Sequence, residues 1–133
     1  MDLIRTIHGE LRWIIVLVAA IVVVKFLIGW LGKRDYTPLD RGLLIGYTSL
    51  MDINLLIGLI LLFTYGLSGA YRLEHAVTMI LAVVVAHMSA IWRKSTDSPT
   101  KFRNQLLMVV LSLLLVLAGV IRLRMFLYQE GFM

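Results

Sequence analysis

Residues 13–31 read WIIVLVAAIVVVKFLIGWL, an apolar run broken only by Lys25. A bilayer core about 30 Å thick is crossed by about 20 helical residues, so this run is long enough to span it. Three further runs follow: Gly42 to Gly66, broken by Asp52 and Asn54, then His75 to Trp92, then Leu106 to Ile121. Open strands cannot hide their backbone polar groups from lipid, and four spans are too few to close a barrel, so each run must be helical. The expected fold is all-α: an integral membrane four-helix bundle wound up-down-up-down, with spans near 13–31, 42–66, 75–92 and 106–121. The whole of 1–133 forms a single membrane domain.

Between the runs lie short polar connectors, and in them the turn residues. The first, GKRDYTPLDR from Gly32 to Arg41, carries Pro38; the second runs from Leu67 to Glu74. The third, RKSTDSPTKFRNQ from Arg93 to Gln105, places a turn at Ser98-Pro99, with Thr100 or Asn104 as cap of the last helix. Arg122 and Arg124 follow the shortest run and can snorkel to the headgroups. Trp13, Trp30, Tyr36, Tyr65, Tyr71, Trp92 and Tyr128 fall near run ends, the positions of interfacial aromatic belts. Small residues such as Gly46, Ser49, Gly58 and Gly119 allow close helix contact.

Composition agrees. Apolar residues make up 60% of the 133, more than one water-soluble core would bury. Absence of cysteine removes disulfides, thiolate metal sites, covalent c-type haem attachment and cysteine nucleophiles together. The net charge of +5 comes from basic residues flanking apolar runs, where they meet lipid headgroups, so nucleic acid is not an expected partner. The first run is too long for a signal-peptide core and lacks a small-residue cleavage site, so the first helix is expected to be its own insertion signal. The first and third connectors hold Lys33, Arg34, Arg41, Arg93, Lys94, Lys101 and Arg103. Against Arg5, Arg12, Arg72, Arg122 and Arg124 on the other side, they are the richer in cations. This predicts cytoplasmic connectors and both termini outside. With no phosphate loop, nucleophile–base pair or acidic metal cluster, and with extramembrane segments too short to build a site, no enzymatic activity is expected.

Two constellations could carry chemistry. Alternate threading puts His8 and His75 on the same outer side, on the first and third helices, which are diagonal partners in a bundle wound in simple order. Two histidines facing each other across a bundle can ligate one haem iron from both faces. Haem propionates would need cations there, and Arg12, Arg72, Arg122 and Arg124 lie on that side. The plainer alternative leaves both imidazoles in the interface, hydrogen-bonded to water or headgroups. The second constellation is deeper: Lys25, Asp52 and His87, at about 9–15 Å from the cytoplasmic helix ends. Asp52 is expected to face inward and pair with Lys25, with His87 joining, as a clasp between helices or as the proton relay of a small proton-coupled carrier. His75 and His87 are about 120° apart around their helix, so they do not share a face.

Several short motifs resemble small bacterial four-helix membrane proteins labelled cytochrome b-like. They are His8-Gly9 with Leu11-Arg12-Trp13, Gly29-Trp30-Leu31-Gly32, Leu39-Asp40 after Thr37-Pro38, Gly58-Leu59-Ile60-Leu61, and Glu74-His75. The resemblance implies a b-type haem protein or redox-complex subunit of the bacterial inner membrane, with His8 and His75 as first ligand candidates and His87 as a third. Some members are expected to carry histidine in the second helix where this chain has Asp52, which would leave an inner haem pair absent here and His87 without a partner ligand. The competing reading is a cofactor-free accessory subunit that stabilises a larger membrane complex.

Overall fold

Helices extend well past the apolar runs in the structure, a computed structural model that describes residues 2–65, 70–94 and 97–129. They are α1 (Asp2–Leu31), α2 (Pro38–Tyr65), α3 (Ala70–Met88) and α4 (Ser98–Gln129), with a 3₁₀ turn at Ser89–Trp92 continuing α3. Hydropathy marks only the lipid-immersed part, whereas helical hydrogen bonding continues into the headgroup zone until a stop signal intervenes. The expected boundary at Gly66, and the belt side chains of Tyr65, Tyr71 and Tyr128, lie outside the described residues and side chains.

The stop signals are specific. Arg34 N–H bonds Gly29 O at 2.9 Å and Lys33 N–H bonds Trp30 O at 3.4 Å, the paired bonds of a Schellman motif. The left-handed position falls on Lys33, φ 52°, and not on the neighbouring Gly32. α2 then opens with a capping box: Asp40 Oδ2 accepts from Thr37 N–H at 2.8 Å, and Thr37 Oγ1 accepts from Asp40 N–H at 3.4 Å. Pro38 sits at the first helical position, where its missing N–H costs nothing. For α4 the cap is Asp97, whose carboxylate accepts from the Thr100 hydroxyl and whose carbonyl accepts from Lys101 N–H. This corrects the expectation of Thr100 or Asn104: Ser98-Pro99 is the first turn of the helix, since Pro is tolerated there.

Each helix buries one stripe. On α1 it is Ile15, Ala19, Val22 and Phe26, on α2 Leu44, Tyr47 and Met51, and on α4 Phe102, Leu106, Val109 and Val116. Steps of three and four are those of left-handed bundles. Packed neighbours run α1–α2–α3–α4 and back to α1, so the backbones of α1 and α3 stand on one diagonal and those of α2 and α4 on the other. Outside, large apolar side chains lie exposed along all four helices, from Leu17 and Val24 to Phe63, Val84 and Leu114. All four are long and apolar enough to cross a membrane, and that surface fits a bilayer. This is an integral membrane four-helix bundle.

At the end formed by the two polar connectors, the interior is closed. Phe26, Tyr36 and Phe102 meet with ring centroids 5.0 to 5.8 Å apart. Gly29 makes room for them, since a Cβ there would lie 2.5 Å from the Phe102 ring. Tyr36 therefore points into the bundle and does not join an interfacial belt. Its hydroxyl donates to Gln105 Oε1 at 2.6 Å, and Gln105 Nε2 donates to Ser89 O at 3.1 Å, satisfying a fully buried amide. Burial, with Asp40 nearby, pushes the Tyr36 phenol up to about 12. One level deeper, Ser112 gives its proton to Val109 O, so the Tyr47 hydroxyl donates to Ser112 Oγ at 2.7 Å across the α2–α4 diagonal.

Candidate functional site

Beyond Tyr47 the packing opens into a cavity of about 530 Å³, a volume in the usual range for small-molecule and cofactor sites. Its walls are aliphatic, among them Ile15, Leu55, Met79, Val83, Val116 and Val120. Two imidazoles interrupt them, His8 from α1 and His75 from α3, the diagonal pair. Arg5, Arg12, Arg72 and Arg124 complete the lining.

The two histidines are held differently. His75 Nδ1 lies 3.4 Å from Gly119 O on α4. A carbonyl only accepts, so Nδ1 carries the proton and Nε2 keeps its lone pair, the arrangement that orients metal-binding histidines. α3 and α4 pack closely here, since a Cβ at residue 119 would stand 2.5 Å from Met79 Cε, the movable end of its side chain, and 3.2 Å from Thr78 Cγ2. His8 rests against Gly58 of α2, where a Cβ would approach its Cε1 to 2.9 Å. Its Nδ1 and Asn54 Oδ1 are both buried in the same cavity wall, with Asn54 beside the imidazole.

Among the described residues, no group of three or more acidic or histidine side chains could hold a bare metal ion. Two imidazoles suit iron whose other four positions are already filled by a macrocycle. The aliphatic walls suit the faces of such a ring, and the guanidinium groups suit its carboxylates.

The structure thus brings His8, His75, Arg12, Arg72 and Arg124 to one cavity, but not Arg122. Arg122 Nε pairs with Glu74 Oε1 at 2.8 Å, bridging α4 to α3 outside the cavity. Reading both arginines after the last apolar run as equivalent ignored the helix continuing through them, where two positions apart means nearly opposite faces. Arg5 and Asn54 line the cavity and were not candidates. Arg5 is one turn ahead of His8-Gly9 on α1, so extending that helix to its true start would have found it; Asn54 lies inside the second apolar run, one turn ahead of Gly58 and on its face, and helical spacing alone would have placed it.

The deep polar constellation is rearranged. Lys25 Nζ pairs with Asp40 Oδ1 at 2.9 Å, not with Asp52, and the Asp40 side chain is 1% exposed against 37% for Lys25. Asp40 seemed to belong to the connector, but α2 starts at Pro38 and carries it to the level of Lys25. Asp52, three turns further on, is about 18 Å away along the helix. It does not face inward: it meets His87 Nε2 with both oxygens, at 2.8 and 2.9 Å, on the outer surface between α2 and α3.

No family model, curated protein or solved structure matches this chain.

Proposed function

We propose that this chain is a b-type haem-binding electron-transfer protein or redox-complex subunit of a bacterial inner membrane, with His8 and His75 as the axial ligands. One observation carries the reading: histidines from diagonal helices line one apolar cavity, and one of them is oriented through Nδ1 with Nε2 left as acceptor. Haem supplies one-electron redox chemistry when bound. The chain's own part is to fix both imidazoles, exclude water with aliphatic walls, and neutralise carboxylates with Arg5, Arg12, Arg72 and Arg124. The resemblance to cytochrome b-like proteins points the same way.

Supporting the arrangement, contacts such as Tyr36 with Ser98 and Glu74 with Arg122 fit helices running up-down-up-down. The cavity then opens near both termini, on the side that the cation distribution assigns to the exterior. Purified protein, produced with haem synthesis intact, tests the reading through its reduced-minus-oxidised spectrum and a pyridine haemochrome assay. The expected result is a low-spin six-coordinate b-type spectrum with about one haem per chain. A colourless protein that takes up no added haem would leave the cofactor-free accessory subunit as the reading.

A further inference from the structure

At the closed end of the bundle the outer surface carries a groove of about 760 Å³, which shares no residue with the histidine cavity. Its membrane-side wall is apolar: Ala20, Ile21, Val24 and Ile28 of α1, all exposed and all within the membrane-spanning segment. Its rim, toward the first connector, is charged. Lys25 rises from inside the span to meet Asp40 in the first turn of α2, and Arg34 and Asp35 stand beside them. Apolar wall below and charged rim above repeat the polarity of a phospholipid standing in one leaflet.

The rim has hydrogen-bonding capacity left over. An ammonium carries three N–H donors. Lys25 gives one to Asp40 Oδ1 at 2.9 Å, its one partner among the described residues, and the side chain stays 37% exposed. The Asp40 carboxylate is engaged by Lys25 and by both Thr37 donors and is sealed from lipid. Arg34 folds back over the end of α1, where a Cβ on Gly32 would lie 3.7 Å from its Cγ and Nε. Among the described residues, neither its guanidinium nor the Asp35 carboxylate has a hydrogen bond or ion pair, although the two adjoin in sequence.

Lys25 and Arg34 balance Asp35 and Asp40, so the lining has no net charge. A purely anionic headgroup therefore gains little there. A phosphate joined to a primary ammonium matches both signs at once, and basic pockets beside membrane helices are known seats for phosphate headgroups. Phosphatidylcholine has the same charges, but its nitrogen has no N–H to donate.

The geometry points to a binding site for one phosphatidylethanolamine-type lipid in this groove. Its phosphate accepts from Lys25 Nζ and the Arg34 guanidinium, and its ammonium donates to Asp35. One acyl chain lies along Ala20, Ile21, Val24 and Ile28. The site is independent of the haem reading, because cavity and groove have no residue in common.

Full-length protein exchanged into equal amounts of phosphatidylethanolamine, phosphatidylcholine and phosphatidylglycerol, all with the same acyl chains, tests this by native mass spectrometry. One ethanolamine lipid should be retained, favoured about ten-fold over either competitor, the effect expected of one hydrogen bond to a charged group. Asp35→Asn leaves two positive groups against one negative and should turn the preference toward the glycerol lipid. Arg34→Gln should weaken retention of all three. Arg103→Gln, which removes an exposed cation at the same end but outside the groove, should change neither retention nor preference. Glycerophosphoethanolamine, the headgroup without chains, should not displace the lipid at equal concentration. Equal retention of the three lipids by the wild type, a preference unchanged in Asp35→Asn, an Arg103→Gln effect as large as that of Arg34→Gln, or displacement by the chainless headgroup would overturn the inference.

Discussion

The two ends of this bundle use the same materials in opposite ways. At the connector end, a glycine admits an aromatic ring, a buried glutamine has both ends of its amide satisfied, and a carboxylate is capped and paired. At the end bearing His8 and His75, glycines at 58 and 119 again create close approaches, but what they admit or orient is imidazole beside open space. In lipid there is little hydrophobic drive between helices, so interior volume is filled only where side chains interlock. A bundle that closes one half tightly and leaves aliphatic walls apart in the other has the layout of a rigid scaffold holding a receptor.

The comparison can be broken first at Asp40. Asp40→Ala removes the carboxylate half of the α2 capping box and leaves Lys25 without its partner, an expected loss of about 3–5 kcal/mol. Thermal unfolding in detergent measures it, and Asp52→Ala should cost far less because its partner is already half exposed. Next, Gly29→Ala forces the Phe102 ring out of its aromatic cluster and should destabilise by about 1–3 kcal/mol, whereas Gly46→Ala, with open space, should be nearly neutral. At the hollow end the sign should reverse: Ala76→Leu fills the cavity and should raise the melting temperature of cofactor-free protein while lowering haem retention. The smallest expected change is Lys33→Gly, relieving the left-handed backbone by about 1 kcal/mol.

One pH effect belongs to the closed half. The folded state holds the Tyr36 phenol at about 12 against an ordinary 10.0, because burial disfavours the phenolate. A raised folded value means the contribution is complete below pH 10 and is lost as pH rises from there toward 12. Tyr36→Phe should flatten the alkaline arm of stability in that window, while leaving stability at neutral pH lower through the unpaired Gln105.

Helix number and type were legible from the apolar runs, because lipid allows little else. The juxtaposition of His8 and His75 on one cavity was legible too, since it needed only alternate threading and bundle order. What failed was everything that depends on helix ends. Asp40 was misplaced by the few residues between the apolar run and the real start of α2, and that displacement passed to its partner: Lys25 was matched to the wrong carboxylate, and Asp52 turned inward instead of out. Arg122 was lost for the same reason. The Tyr36–Gln105–Ser89 network left no trace in hydropathy, because each of its members is an ordinary residue whose role comes from tertiary position.

The central claim is that the hollow half holds haem between His8 and His75, and the most direct measurement is the ligation state of the iron in single-histidine variants. Resonance Raman and electron paramagnetic resonance of the wild type should report a low-spin, six-coordinate centre. Replacing His75 or His8 by alanine should each remove that signature, giving a high-spin centre that takes up added imidazole or no centre at all, while His87→Ala leaves it intact. A six-coordinate low-spin spectrum that survives both His8→Ala and His75→Ala would contradict the account.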